Sequence, residues 1–165
     1  MRILGIDPGL ANTGWGVVDF DGQKFRPVSF GVINTTPDET LEKRISFIGR
    51  DVGKIAMNYG ADHVSIEDIF FARNEKSAIG VAKVIGAVCY SMFLLNIDVT
   101  IFTPLQIKKA VTGTGTADKH QVQELTRILL GLDKIPRPDH AADALGAALC
   151  YGNTSATLNK LGVFK

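Results

Sequence analysis

Three extended runs of largely apolar residues near the start of the chain are typical of β-strands. They cover residues 2–6, 13–20 and 24–33. Asp21-Gly22 lies between the second and third runs, and this dipeptide is favoured in tight hairpin turns. The pattern therefore predicts three consecutive antiparallel strands.

The next segment has the period of an amphipathic helix. Apolar residues recur there at steps of three or four, at Leu41, Ile45, Ile48, Val52, Ile55 and Tyr59. Thr36-Pro37-Asp38-Glu39 precedes them and places a capping threonine, a first-turn proline and a back-bonding glutamate in the order that a helix start prefers. We predict a helix with Thr36 as its N-cap and Gly60 at its end.

Strands and helices then alternate. Residues 63–69 have the polar and apolar alternation of a strand, residues 77–95 form a long helix of small and aliphatic residues, and residues 98–102 form a fifth strand. Thr103-Pro104-Leu105-Gln106 repeats the capping order and opens a helix to about Val111. Strands and helices in this order predict an α/β fold with a mixed, five-stranded sheet flanked by helices.

Two more helices are expected in the last third of the chain. A glycine- and threonine-rich loop at residues 112–116 precedes a helix that Gly131 ends, and Pro136 and Pro138 introduce a last helix from Asp139 to about Tyr151. Residues 153–165 show no clear periodicity. We therefore expect one domain over residues 1–152 and leave residues 153–165 as an unassigned tail.

Composition adds little about partners but indicates the compartment. The chain has 165 residues, 45% of them hydrophobic, which is enough for one self-sufficient core. Its net charge of +1 neither favours nor excludes nucleic acid. Cys89 and Cys150 lie in apolar, helix-like surroundings typical of reduced cysteines. No room for a signal peptide precedes Asp7, and no apolar run is long enough to span a membrane, so we expect a cytoplasmic protein.

Three acidic residues stand where a carboxylate is costly. Asp7 ends the first strand, Glu67 lies near the end of the fourth, and Asp143 lies beside an alanine-rich helical face. If the first and fourth strands are neighbours, Asp7 and Glu67 lie side by side. His140 and Asp143 are three residues apart and share a helix face. Such an oxygen-rich cluster favours magnesium or manganese over zinc and predicts metal-dependent phosphoryl transfer.

Each of these residues also has a purely structural interpretation. Asp7-Pro8-Gly9 alone is typical of a turn. Glu67 alone fits an exposed strand position, and acidic residues are favoured in the first turn of a helix, where Asp143 and its neighbours lie. The catalytic hypothesis depends on their joint appearance in this order of strands and helices.

Four segments resemble the RuvC family of Holliday junction resolvases. They are Ile-Leu-Gly-Ile-Asp-Pro-Gly at 3–9 with Gly14 and Gly16 after it, Ile-Glu-Asp-Ile-Phe at 66–70, Gly-Thr-Gly-Thr-Ala-Asp-Lys at 113–119, and Ala-Ala-Asp-Ala-Leu at 141–145. The resemblance extends to about Tyr151 and implies a ribonuclease H-like fold. It also implies a homodimer that nicks two strands of a four-way DNA junction symmetrically in recombination and repair, leaving 5′-phosphate and 3′-hydroxyl ends. RuvA and RuvB, which drive branch migration, are the partners that it implies.

The resemblance also implies site residues. The family's catalytic acids fall on Asp7, Glu67 and Asp143, and its fourth catalytic position falls on His140, where many members have an aspartate. A neutral imidazole can bind a metal or accept a proton, so the exchange is chemically tolerable. All four are expected to bind two Mg²⁺ ions, for which Mn²⁺ substitutes, about 3.5–4 Å apart.

Candidate DNA contacts lie around this cluster. Lys108 and Lys119 flank the glycine-threonine loop and match residues that contact DNA near the cut in the family. Arg73 and Lys76 follow the Glu67 strand closely. Phe70 matches a family position that stacks on a base of the opened junction.

Other interpretations stay open from the sequence. The helix at 77–95 has more apolar surface than one face needs, and we expect it to form the dimer contact. Residues 5–9 with Gly14 also resemble the first phosphate loop of the actin and sugar-kinase ATPases, which need two such domains where this chain has length for one. A non-catalytic junction-binding protein is the second alternative, and it would not need the acids.

Overall fold

The computed structural model describes residues 1–69 and 75–161, except for the side chains of residues 75–77 and 159–160. Its described residues form one five-stranded sheet in the order β3-β2-β1-β4-β5. The strands are β1 (Arg2–Asp7), β2 (Asn12–Phe20), β3 (Phe25–Asn34), β4 (His63–Glu67) and β5 (Asp98–Phe102). β1, β2 and β3 pair antiparallel, whereas β4 pairs parallel to both β1 and β5. This confirms the predicted mixed sheet.

Helices cover both faces of the sheet. They are α1 (Leu41–Tyr59), α2 (Glu75–Leu94), α3 (Pro104–Thr112), α4 (Lys119–Leu129) and α5 (Asp139–Lys160). Because strand side chains alternate between faces, β1 sends Leu4 and Ile6 into a core with α1 and α2, and Ile3 into a second core with α3, α4 and α5. The sheet therefore separates two cores, and α5 lies over its centre.

Glycines in the sheet let α5 lie unusually close to it. A β-carbon at Gly5 would stand 1.9 Å from the carbonyl oxygen of Ala144, and one at Gly14 would stand 1.9 Å from that of His140. Real β-carbons do not approach backbone atoms so closely, so only glycine fits at these two positions. The close approach brings the start of α5 against the end of β1.

The start of α1 differs from the prediction. The helix begins at Leu41, and its N-cap is Thr40, whose side-chain oxygen accepts a hydrogen bond from the backbone N–H of Lys43. Thr36 instead accepts from the backbone N–H of Glu39 in a turn. The predicted cap at Thr36 was wrong because residues 36–38 are exposed, and a further helical turn there would have no core to pack on.

The last helix also runs further than predicted. α5 continues past Tyr151 to Lys160. The hydroxyls of Thr154, Ser155 and Thr157 donate hydrogen bonds to backbone carbonyls three or four residues earlier. These polar residues interrupt the apolar periodicity of α5, and one of them, Ser155, is buried. The sequence pattern therefore did not predict this part of the helix.

Candidate active site

The ends of two neighbouring strands place the first two acids. Asp7 is the last residue of β1 and Glu67 is the last residue of β4. These strands are parallel, and their pairing runs up to Ile6 opposite Ile66, so the two acids follow directly at the same edge of the sheet. Asp7 lies close enough to Glu67 for its negative charge to raise the pKa of the Glu67 carboxyl.

The first two turns of α5 supply the other two residues. His140 Nδ1 lies 2.7 Å from Asp7 Oδ2, a hydrogen-bond distance. Asp143 lies one turn further along α5 and lines a cleft together with Glu67. The structure therefore brings Asp7, Glu67, His140 and Asp143 together, from three elements far apart in the sequence.

Burial and the charge of neighbouring acids raise the pKa values of Asp7 and Glu67. Burial, followed by the charges of Asp7 and Asp143, raises the pKa of Glu67 to about 8. Burial also raises the pKa of Asp7, and the hydrogen bond from His140 offsets part of that effect. Glu67 is therefore mostly protonated at neutral pH, and a bound cation would favour its charged form.

A lysine also contacts the cluster. Lys119 Nζ lies 3.2 Å from Asp143 Oδ2 and 3.4 Å from Asp139 Oδ2. Arg137 contacts the other carboxylate oxygen of Asp139. Partial burial would lower the pKa of Lys119, but Asp143 and Asp139 outweigh it and raise that pKa. Sequence reasoning missed this network, whose only signal was the four-residue spacing of the two aspartates on one helix.

The cleft beside the acids suits a phosphodiester. It has a volume of about 220 Å³. The residues that line it come from the end of β4 and from α3, α4 and α5: Glu67, Pro104, Ile107, Lys108, Lys119, Val122, Asp143 and Gly146. Two lysines, Lys108 from α3 and Lys119 from α4, thus lie on its walls beside two acids. Lysine ammonium groups on the walls of a cleft can bind the phosphates of a nucleic acid.

The donors fit a hard divalent cation, although they are not yet in the arrangement of a ligand set. Among residues 1–69 and 75–161, no three histidine, cysteine or acidic side chains stand as a ready metal site. The reason lies in their present partners, since Asp7 bonds to His140 and Asp143 pairs with Lys119. Three carboxylates and an imidazole within reach of one another nevertheless match the ligands that Mg²⁺ and Mn²⁺ prefer.

Three of the predicted DNA contacts fall where little or nothing is described. Phe70 and Arg73 lie outside the described residues, and Lys76 lies in α2 without a described side chain. Lys108 and Lys119, by contrast, both line the cleft.

Among the helices described, none is both long and apolar enough to cross a membrane.

Comparison with known proteins assigns the family. The family model for crossover junction endodeoxyribonuclease RuvC matches residues 3–151. The RuvC protein of Borrelia turicatae is 44% identical over 155 residues, which cover 93% of this chain and 96% of that protein.

Two solved structures agree with this assignment. Thermus thermophilus RuvC superimposes with a TM-score of 0.88 at 34% identity, covering 98% of this chain and 97% of that one. The same protein in complex with its Holliday junction substrate gives a TM-score of 0.87 at 32% identity, covering 95% and 96%. The predicted ribonuclease H-like fold is thereby confirmed. Sequence, fold and site together show that this chain belongs to the RuvC family of crossover junction endodeoxyribonucleases.

Proposed function

We propose that this protein resolves four-way DNA junctions by paired, symmetric, metal-dependent nicking of two strands, in recombination and repair. Family membership makes it a crossover junction endodeoxyribonuclease of a metal-dependent family. The solved complex of the Thermus thermophilus relative with a Holliday junction supports the same substrate here. The observation that carries the mechanism is the meeting of Asp7, Glu67, His140 and Asp143 at one edge of the sheet.

We assign the metal-binding role to these four residues. Asp7 would be the central ligand of the set, because its charge acts on Glu67 and is acted on by Asp143. The ions are magnesium, two per site, with manganese as a substitute, since the donors are mainly carboxylate oxygens. When bound, such ions activate a water for in-line attack on phosphorus and stabilise the departing oxygen.

His140 acts beside Asp7, either as a ligand or as a proton acceptor. The contact with Asp7 occupies Nδ1 and fixes the orientation of the ring. Nε2 is therefore the nitrogen that we assign to bind the ion or to take a proton from water. Cleavage of the bond to the 3′ oxygen leaves a 5′-phosphate and a 3′-hydroxyl, and it requires no covalent intermediate with the protein.

The DNA-binding residues surround the acids. Lys108 and Lys119 are assigned to phosphates next to the cut, because both line the cleft beside Glu67 and Asp143. Phe70, Arg73 and Lys76 follow β4 directly in the chain, so we assign base stacking to Phe70 and phosphate contacts to the other two.

A homodimer fits the exposed face of α2. Four large apolar side chains stand in solvent along this helix, namely Ile79 (56% exposed), Tyr90 (64%), Phe93 (75%) and Leu94 (61%). A second copy that covered them would place two active sites on one junction, as paired nicking requires. The family also suggests partners, and we propose that RuvA and RuvB drive branch migration for this protein. The proposed compartment is the cytoplasm. The proposed nuclease domain covers residues 1–152.

The two alternative functions are not favoured. An ATPase of the actin and sugar-kinase class needs two such domains, and this chain belongs along nearly its whole length to a nuclease family. A protein that only bound junctions would have no use for clustered acids in which burial, together with the charges of Asp7 and Asp143, raises the pKa of Glu67 to about 8.

One assay separates the three functions. The protein is incubated with a mobile four-way junction, a linear duplex and ATP, with magnesium or with a chelator. We expect paired nicks in the junction alone, only with magnesium, and no ATP hydrolysis. ATP turnover, or junction binding without cleavage at any divalent metal concentration, would contradict the proposal.

A further inference from the structure

Lys119 already contacts an acid of the proposed metal site. Its Nζ lies 3.2 Å from Asp143 Oδ2 and 3.4 Å from Asp139 Oδ2. The two aspartates are four residues apart on α5, so their side chains lie one turn apart on one side of the helix. A single ammonium group therefore bridges an acid of the metal set and an acid outside it.

The lysine and a metal ion need the same carboxylate. Asp143 Oδ2 accepts a hydrogen bond from Lys119, and an ammonium group at that distance repels any cation that approaches the oxygen. Metal binding at Asp143 therefore requires Lys119 to leave that contact or to weaken it.

Asp139 stands where it can hold the displaced lysine. Its Oδ2 is already within ion-pair distance of Nζ, while Arg137 contacts Oδ1 and thereby holds the carboxylate in place. The side chains of Lys119 and Asp139 are 58% and 43% exposed, so a small movement between the two aspartates disturbs no core. Asp139 itself has no contact with Asp7 among those the structure describes.

We propose that Lys119 is the internal counter-ion of the metal-free site and that Asp139 is a positioning residue, which takes over Lys119 when a divalent metal ion binds Asp143. This inference rests on the proposed metal site. The exchange keeps the positive charge of Lys119 beside the cleft, where the phosphates of the junction are expected to lie.

The test measures Mn²⁺ binding to the full chain without DNA, from the electron paramagnetic resonance signal of the free ion. Lys119→Gln should bind Mn²⁺ roughly three- to tenfold more tightly than the wild type, because a competing cation is gone. Lys108→Gln is the matched control, since it removes the same charge from the same cleft but breaks none of the described ion pairs. Its effect should be clearly smaller.

A double-mutant cycle isolates the role of Asp139. Asp139→Asn should weaken Mn²⁺ binding by about threefold in the wild type, since Lys119 is then left to Asp143 alone. The same change should have almost no effect in the Lys119→Gln background. Because these pairs are exposed, thermal unfolding of all variants should stay close to the wild type.

The outcomes separate the inference from the proposed function. If the wild type binds no Mn²⁺, the metal site itself is overturned, and the inference with it. If the wild type binds Mn²⁺ but Lys119→Gln increases the affinity no more than Lys108→Gln does, the counter-ion role alone is overturned. If Asp139→Asn weakens binding equally in both backgrounds, Asp139 acts through its own charge and not through Lys119.

Discussion

At the residue scale, Asp7 joins the parts of the site. It ends β1, contacts His140 on α5 and shares the sheet edge with Glu67. Its side chain is only 18% exposed, so its charge has little help from water. The acids are therefore unfavourable neighbours without a cation, and this is the physical reason to expect a metal between them.

Asp7→Asn should abolish nicking and leave junction binding intact. The change removes a carboxylate from the metal set but leaves the cleft lysines, so we expect a loss of rate of more than about 100-fold. Gel shift in a chelator and single-turnover cleavage measure the two properties. His140→Asp is the matched comparison and should keep measurable cleavage. If Asp7→Asn lost junction binding together with cleavage, the role assigned to Asp7 would be contradicted.

Glu67 should make the metal-free protein less stable as the pH rises. Its pKa is about 8 in the folded protein and 4.5 in the unperturbed side chain, so between these pH values the folded state holds a proton that the unfolded state has released. The free energy of unfolding therefore falls between pH 4.5 and pH 8.

Urea denaturation in a chelator at pH 5 and pH 8 measures this effect. In the Glu67→Gln variant, the free energy of unfolding should fall much less between pH 5 and pH 8. At pH 8 this variant should be more stable than the wild type. Glu39→Gln, a change at an exposed carboxylate paired with Lys43, should keep the pH dependence of the wild type. An unchanged pH dependence in Glu67→Gln would refute the buried, repelled state of this acid.

At the element scale, the position of α5 on the sheet determines the site. This helix brings His140 and Asp143 to the strand ends, and it lies close because Gly5 and Gly14 have no side chains. Small residues on the helix itself, including Ala141 and Ala144, are completely buried against the sheet. The catalytic geometry therefore depends on packing as well as on the four side chains.

Gly14→Ala should impair the site without touching any of its functional groups. The new β-carbon would stand 1.9 Å from the carbonyl oxygen of His140, so α5 has to shift and the contact with Asp7 lengthens. We expect a loss of about 1–3 kcal/mol in stability and strongly reduced cleavage, measured by denaturation and junction nicking.

Gly53→Ala is the control for this change. Gly53 lies within α1, and a β-carbon there would stand 3.8 Å from the β-carbon of Ser91, an ordinary contact. It should leave cleavage unchanged and stability equal or slightly higher, because alanine favours a helix. Wild-type cleavage in Gly14→Ala would show that the position of α5 is less constrained than its packing indicates.

Local patterns predicted most elements and pointed to the four side chains that the structure brings together, because strand alternation, helix period and acids in apolar segments are visible in the chain. They failed where the outcome depends on tertiary contacts. Thr40, rather than Thr36, caps α1, since only the turn from Leu41 onwards has a core to pack on. The contacts of Lys119 with Asp139 and Asp143 depend on how α4 packs on α5, which no local pattern encodes.

At the scale of the whole molecule, the proposed paired nicking of a symmetric junction calls for two active sites. The exposed apolar side chains of α2 are the surface that supports such an assembly. They lie on the face of the sheet opposite α5, so a partner there leaves the cleft beside Lys108 and Lys119 free for DNA.

Phe93→Glu should convert the protein to a monomer. It places a charge at the most exposed of the four apolar side chains of the proposed contact, which is 75% exposed and lies near the C-terminal end of α2. Sedimentation velocity at micromolar concentration should give the mass of one chain for this variant and of two chains for the wild type. Ile128→Glu, at an apolar side chain of α4 that is 54% exposed, should remain a dimer. A monomeric wild type would overturn the proposed assembly.

The position of bound manganese tests the central claim most directly. Crystals are soaked in Mn²⁺ and the anomalous difference density is measured. We predict peaks at about 2.1 Å from the carboxylate oxygens of Asp7, with Glu67 and Asp143 as further ligands. Manganese bound away from Asp7, in a protein that nicks junctions in the same metal, would contradict the account.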